Sequence, residues 1–187
     1  MHPVLHQVFD SYSAQLSGAP AEWCQLHPLQ DDRLWSAQNL VEHLVLTCRS
    51  TSRVLSKRIE RGRPTKDRGT IPQWLLRIMV LSIGYMPRGA PAPTFARPDQ
   101  LHWPAMSGRE SLELLRREID EMDALIDQCH QRFGSKRLAT HIVIGPLRPD
   151  QWRRFHVVHM RHHLAQLRRL EQSIGQPATH QPQPASI

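Results

Sequence analysis

Four histidines lie within eight positions of the segment FHVVHMRHHLAQL, residues 155–167. Neutral imidazole is a common ligand of divalent metals, and helix residues four positions apart lie on neighbouring turns, about 6 Å apart at Cβ. His159 and His163 have this spacing, which the zinc-binding motif HExxH also uses, so the pair can bind one metal ion. His156 and His162 are candidate acid–base groups or supports for the ligands, and a structural role fits each equally well.

A third imidazole is needed, because two leave a divalent metal short of ligands. In WSAQNLVEHLVLTC, His43 shares a helical face with Leu40 and Thr47 and therefore points inward. Three inward histidines from two helices leave a position open for water or substrate, as in catalytic rather than structural zinc sites. A single inward histidine is more often a core residue, but three converging rings each need a partner, and one metal ion serves all three.

Amphipathic periodicity predicts four long helices that position these residues. The third has the clearest apolar stripe, at alternating spacings of three and four from Leu112 to Cys129. No segment shows the alternation of period two that indicates a half-buried strand. We therefore expect an all-α fold, a four-helix bundle, with His43 on the second helix and the histidine pair on the fourth. The predicted helices cover about residues 3–17, Ser36 to about Arg61, residues 107–133 with Gly134 after them, and Pro149 to about Gly175.

A long insertion separates the second and third predicted helices. The segment RGRPTKDRGT is predicted to be a basic loop, an extra short helix follows from Pro72 to about Tyr85, and the proline-rich stretch after it is expected to be irregular. A crossover of this length allows the second and third helices to be parallel. The short helix caps the bundle as ordinary core, or else forms a homodimer face or a substrate lid. We expect residues 1–174 to form one domain and residues 175–187 to be a disordered tail.

The chain of 187 residues is basic, with a formal net charge of +7. Residues 49–68 hold eight Lys/Arg against two acids. A solvated helix face and loop explain this stretch, and the functional alternative is a rim that attracts an anionic substrate. A nucleic-acid binder needs a recognition motif or interleaved aromatic residues, and neither is apparent, so we expect no nucleic-acid partner.

The cellular location is inferred from cysteine usage and from apolar segments. Cys24, Cys48 and Cys129 form no CxxC pair, which favours a reducing compartment. The start MHPVLHQVFD lacks the basic and apolar regions of a signal peptide. The most apolar run, residues 74–86, is too short to span a bilayer and contains Arg77. We therefore expect a soluble, cytoplasmic protein without a membrane partner.

Two of these segments, WSAQNLVEHL and HMRHHLAQL, together resemble the DinB-like (YfiT-like) superfamily of metalloenzymes. The family pattern is Trp-Ser before a helix with one histidine, then a late H-x-x-x-H followed by glutamine. The segment HIVIGPLRPDQWRRFHVVHMRHHLAQL is similar to a subgroup with a late H-x-x-H-H-x-x-Q motif, and departs from it at Ile142 and Ile144, where Pro and Phe are usual. The matching positions in this chain are Trp35, Ser36, His43, His159, His163 and Gln166.

The resemblance implies an up-up-down-down four-helix bundle with three histidines around a divalent ion, often in a homodimer. It makes His43, His159 and His163 the metal ligands. Gln166 lies close to His159 on the helical wheel, and we expect it to orient a ligand or substrate. Known members include S-transferases and isomerases that use a low-molecular-weight thiol. Zn²⁺, Ni²⁺ and Fe²⁺ all accept nitrogen ligands, so the choice of metal stays open.

The function predicted from these observations is that of a metal-dependent transferase or hydrolase acting on a small molecule. The metal would lower the pKa of a bound water or thiol, so that the anion is present near neutral pH. The substrate, the catalytic residues and the oligomeric state stay open. The first alternative is a non-catalytic bundle in which metal only stabilises the fold, and the second is a basic nucleic-acid-binding protein.

Overall fold

Helices make up most of the computed structural model, and one small hairpin completes it. The structure describes residues 1–31, 34–87, 89, 91–98 and 103–175. The predicted tail lies outside these residues from position 176 onward. The α-helices are α1 (Pro3–Leu16), α2 (Ala21–Cys24), α3 (Ala37–Glu60), α4 (Ile71–Arg77), α5 (Gly108–Phe133) and α6 (Pro149–Ile174). The other elements are a π-helix (Ile78–Ile83), 3₁₀ turns (Pro28–Gln30, Thr94–Ala96), and the antiparallel strands β1 (Ala139–His141) and β2 (Gly145–Leu147).

Side-chain caps begin the long helices at the predicted positions. The Ser36 hydroxyl accepts from the Asn39 N–H, and the Asn39 side chain accepts from the Ser36 N–H. Ser107 and Glu110 form the same reciprocal pair before α5. Pro149 is the first residue of α6, where its missing N–H has no helical partner to lose. All four predicted helices are confirmed to within one residue at each end.

Contacts between α3 and α5 show that these helices are parallel. Near their first residues, the Gln38 side chain accepts from the Met106 N–H. Further along both helices, the Arg49 guanidinium lies 2.8 Å from the Glu118 carboxylate. Position therefore increases in the same direction along both helices, as the length of the crossover between them allows.

The helix α1 is antiparallel to α5. The His2 N–H donates to the Asp123 carboxylate in the second half of α5, whereas the Gly108 N–H donates to the Ala19 carbonyl beyond the end of α1. The start of α1 thus lies beside the later part of α5, and its end lies beside the first residue of α5.

The helix α6 is antiparallel to α3. His159 contacts His43 near the start of α3, whereas His156 contacts Thr51 two turns later. The directions of the four long helices are therefore up-down-down-up. This corrects the up-up-down-down order implied by the resemblance. The long crossover of residues 61–107 joins α3 and α5 without a change of direction. The direction reverses between α1 and α3 and again between α5 and α6.

The core lies between the four long helices. Every residue of the predicted α5 stripe is buried, and each such side chain stabilises the fold by about 1.5–3 kcal/mol relative to exposure. The three cysteines are buried and free, in accord with the lack of a disulfide pattern. Side chains with almost no exposed surface include Leu5, Tyr12, Leu44, Leu55, Leu115, Ile119, Met122 and Ile126.

The extra short helix is confirmed, as α4 with its π-helical continuation. Its packing only partly fits the interpretation as ordinary core. Val80 is buried and Leu76 is half-buried, but Trp74 and Leu75 are 51% and 56% exposed. Among the helices of the described residues, none combines the length and apolar character needed to cross a membrane.

The β1–β2 hairpin was not predicted. Its strands have three residues each, which is too short for an alternating pattern to show. The hairpin connects α5 to α6 and packs beside α4, where the Arg77 guanidinium donates to the Pro146 carbonyl at 3.0 Å.

Candidate metal centre

The helices α3 and α6 bring His43, His159 and His163 to one point inside the bundle. The His159 Nε2 atom lies 3.0 Å from His43 Nε2 and 2.9 Å from His163 Nε2. The three side chains are only 4–7% exposed. Nitrogen ligands about 2.0–2.1 Å from a tetrahedral zinc ion lie roughly 3.3 Å apart, so the rings are close to the separation that a shared metal requires.

Hydrogen bonds on the far side of two rings determine which nitrogens face the centre. The Nδ1 atom of His43 lies 2.7 Å from the Ala96 carbonyl, and Nδ1 of His163 lies 2.5 Å from Gln166 Oε1. Both oxygens accept, so each neutral ring donates from Nδ1 and keeps a lone pair on Nε2. Two lone pairs are therefore directed towards His159.

The ring of His159 cannot satisfy this arrangement by itself. Its Nε2 carries at most one proton, which serves one of the two facing nitrogens well. Its buried Nδ1 has no hydrogen-bond partner among the described residues. A buried polar group without a partner costs about 1–3 kcal/mol. One cation that accepts all three Nε2 lone pairs removes the conflict at the centre, so these residues fit a divalent metal.

Burial keeps the three rings neutral. Desolvation lowers the pKa of His43, and it lowers that of His163 to about 3, with repulsion from His43 as the next cause. Desolvation also lowers the pKa of His159 well below its ordinary value, and the rings of His163 and His43 add to the effect. Neutral imidazoles keep their lone pairs available, so protons do not compete strongly for the site at pH 7.

The three residues predicted to support the ligands, Gln166, His162 and His156, each occupy a different position relative to the histidine cluster. Gln166 contacts His163 directly, as described above. The His162 ring lies 5.0 Å from the His163 ring and lines the adjoining pocket. His156 lies one turn deeper, with Nε2 3.1 Å from the Thr51 hydroxyl and Nδ1 4.0 Å from Cys48 Sγ. Those contacts are typical of a structural residue. The acid–base roles of His156 and His162 stay predictions.

Two neighbours of the rings complete the site. The Trp35 ring packs 4.8 Å from the His43 ring and 6.0 Å from the His163 ring, so this motif residue supports two candidate ligands. The Ala96 carbonyl was missed by sequence reasoning. It belongs to a proline-rich segment without periodicity, and a backbone carbonyl gives no residue-type signal.

A pocket of about 1010 Å³ adjoins the histidines. Its volume suits a small molecule, because ligand pockets commonly span about 300–1,000 Å³. Arg169 is the one lining residue with a full charge among those that the structure describes. The apolar lining includes Leu76, Met79, Met86, Phe95, Ile142 and Phe155, and the polar lining includes Thr47, Ser50, Thr51, His162 and Gln166.

Comparisons with known proteins identify the family. Neither the curated proteins nor the solved structures contain a significant match to this sequence. The model of the DinB superfamily matches residues 5–167, which hold all three clustered histidines and most of the described fold. The chain therefore belongs to the DinB superfamily.

Proposed function

We propose that the protein binds one divalent metal ion through His43, His159 and His163 and catalyses a metal-dependent reaction of a small molecule in the adjoining pocket. The observation that carries this proposal is the convergence of three neutral Nε2 atoms at the wall of a pocket of about 1010 Å³. A ligand set made only of imidazole suits Zn²⁺, Ni²⁺ or Fe²⁺.

His43, His159 and His163 would hold the ion, which would lower the pKa of a bound water or thiol and so supply a nucleophile near neutral pH. The chain's own residues position and protect that chemistry. Ala96 and Gln166 hold two rings in the tautomer that directs Nε2 inward. The mainly apolar walls of the pocket would pack against apolar parts of the substrate. His162 presents an imidazole beside His163, where it can exchange a proton with a bound molecule.

Transfer of a low-molecular-weight thiol to an electrophile, or hydrolysis, is the reaction class that we favour. Membership of the DinB superfamily supports it, as does a pocket large enough for two small reactants. Cys24, Cys48 and Cys129 are buried, and burial is the main cause that raises the pKa of each thiol. A thiol nucleophile would therefore come from a second molecule and not from the chain.

Metal binding by purified protein tests the first part of the proposal. Protein prepared without a nickel column is incubated with Zn²⁺ or Ni²⁺, desalted and analysed for metal. We expect about one ion per chain, and less than about 0.1 would contradict the proposal. His43→Ala should lose the ion, whereas His130→Ala, which removes an exposed imidazole from α5, should keep it.

The alternative is a metal that only stabilises the bundle. The deep burial of all three rings favours this second candidate, since structural metals are enclosed. The two functions differ in the pocket. Metal-dependent turnover in a screen of thiol acceptors and esters would identify an enzyme. Replacing His162 by Gln should abolish that turnover while the metal remains bound. A metal-loaded protein that is inactive throughout the screen would favour the structural role.

A further inference from the structure

The helix α4 presents an apolar face to solvent. Three residues of α4, Ile71, Trp74 and Leu75, and the first residue of its π-helical continuation, Ile78, follow the spacing i, i+3, i+4, i+7 and thus share one side. They are exposed by 76%, 51%, 56% and 37% respectively. We call these four residues the outer face. Helices of globular proteins normally bury such a stripe, so its exposure indicates a binding surface.

The opposite side of α4 is already packed, so the outer face is not a core face that lacks its partner. Leu76 lines the pocket, and Val80, in the π-helical continuation, is buried. The Arg77 guanidinium donates to the Pro146 carbonyl in the hairpin. Gly145 lies against the Gln73 side chain so closely that a Cβ there would come within 3.1 Å of it. These contacts determine the orientation of α4 and leave the apolar stripe outward.

A cluster of arginines lies where the hairpin meets the start of α4, near Ile71 of the outer face. The Arg77 guanidinium donates to the Pro146 carbonyl in β2. Arg148 directly follows β2, and the strand register places it across from Leu138, the neighbour of Arg137. The Arg137 guanidinium donates to the Arg68 carbonyl and so brings this segment next to a fourth cation. Asp150 pairs with Arg148 at 3.3 Å. Asp67, directly before Arg68, is a second carboxylate in this region. Four arginines against two carboxylates keep a positive excess at the start of the outer face.

We propose that the outer face and this arginine cluster form a docking surface for an anionic lipid membrane. Aliphatic and aromatic side chains enter the headgroup boundary, and adjacent arginines contact the lipid phosphates. Trp74, on the outer face and 51% exposed, is a residue type that favours this boundary. The expectation of no membrane partner rests on the lack of a spanning segment, which does not bear on docking at a surface.

Charge favours a membrane over a second copy of the chain. In a two-fold dimer the same patch contacts itself, so the arginine clusters of both copies would face each other. Such like-charge contacts disfavour association, whereas an anionic bilayer attracts the same cluster. The net charge of +7 acts in the same direction at longer range.

Vesicle co-sedimentation with the full chain tests the proposal. We expect binding to vesicles of phosphatidylcholine mixed with phosphatidylglycerol, weaker binding to phosphatidylcholine alone, and release as salt is raised. The double variant Trp74→Ser/Leu75→Ser should bind at least about tenfold more weakly, because it removes two inserted apolar side chains. Circular dichroism and thermal unfolding confirm that each variant is folded.

A matched pair of charge variants tests the arginine cluster. Arg137→Gln/Arg148→Gln should weaken binding to the anionic vesicles several-fold. Arg116→Gln/Arg117→Gln lowers the net charge equally but removes exposed arginines of α5, so it should bind as the wild type does. Equal losses in the two pairs would show that only net charge acts and would overturn the docking site.

Two further results would overturn the proposal. One is the absence of binding to anionic vesicles by the folded wild-type chain. The other is a dimer, measured by light scattering, that disappears in Trp74→Ser/Leu75→Ser. That result would assign the outer face to a second copy. Neither result depends on the metal, because the metal content of the same samples is measured separately.

Discussion

At the scale of single residues, the site is defined by where three ring nitrogens point. His43 and the His159/His163 pair could be predicted because both segments show helical periodicity and four-residue spacing places two imidazoles on neighbouring turns. The hydrogen bond from His43 to the Ala96 carbonyl could not be predicted, since any residue type supplies a carbonyl. Residue types thus identify the candidate ligands, and only the folded backbone shows what orients their rings.

Gln166 should matter for metal affinity through its contact with His163. Gln166→Leu removes the acceptor for the Nδ1–H, so the ring loses its fixed tautomer and orientation. We expect the dissociation constant for Zn²⁺ to rise roughly 10–100-fold, measured by competition with a chromophoric chelator. Gln172→Leu, the same change at an exposed position of α6, should leave the affinity unchanged. Equal affinities in the two variants would contradict this role.

The buried ring of His156 should make stability fall with acid. Desolvation lowers its pKa from 6.5 to about 3, so below pH 6.5 the unfolded chain binds a proton that the folded chain does not. The free energy of unfolding should therefore be highest above pH 6.5 and decrease as the pH falls towards 3, by up to about 1.4 kcal/mol per unit.

Urea titrations of metal-free protein between pH 7.5 and 4.5 measure this effect. The other buried histidines also titrate, so the informative quantity is the difference in pH dependence between the wild type and His156→Phe. We expect a shallower pH dependence in the variant. Identical slopes would mean that His156 is not the proton-sensitive group that its burial implies.

At the scale of elements, the long helices and the apolar helix α4 could be predicted, whereas α2 and the hairpin could not. Capping residues such as Ser36 and a long apolar stripe, as on α5, are signals that accumulate over many residues. The helix α2 and the hairpin strands have three or four residues each, too few for any period to show. The up-down-down-up order required contacts between helices, because amphipathicity does not encode direction.

Ser36→Ala should destabilise the helix that carries His43. The change removes the hydroxyl that accepts from the Asn39 N–H, and the loss of such a cap costs about 1 kcal/mol. Urea unfolding measures the difference. Ser56→Ala, the same substitution inside α3, should be neutral or slightly stabilising because alanine is the better helix former. A similar loss in both variants would contradict the capping role.

At the scale of the whole molecule, a bundle of the DinB superfamily holds three neutral imidazoles next to a mainly apolar pocket. The three histidines come from α3 and α6, which are far apart in the chain, so their convergence depends on the complete fold. Binding at such a site couples metal affinity to global stability. The cytoplasmic location and the homodimer stay predictions, and light scattering tests the latter.

Metal should therefore raise the thermal stability of the wild type. A ligand present at about 100 times its dissociation constant stabilises the folded state by about 2.7 kcal/mol. We expect Zn²⁺ to raise the Tm by several degrees relative to EDTA. In His43→Ala the Tm should be nearly the same in both conditions. A Zn²⁺-dependent increase that survives in this variant would place the metal elsewhere.

The most direct measurement is an anomalous difference map from crystals of the zinc-loaded protein. The account predicts one strong peak at about 2.0–2.1 Å from the Nε2 atoms of His43, His159 and His163, between α3 and α6. Full zinc occupancy at other residues, with these three rings left without metal, would contradict it.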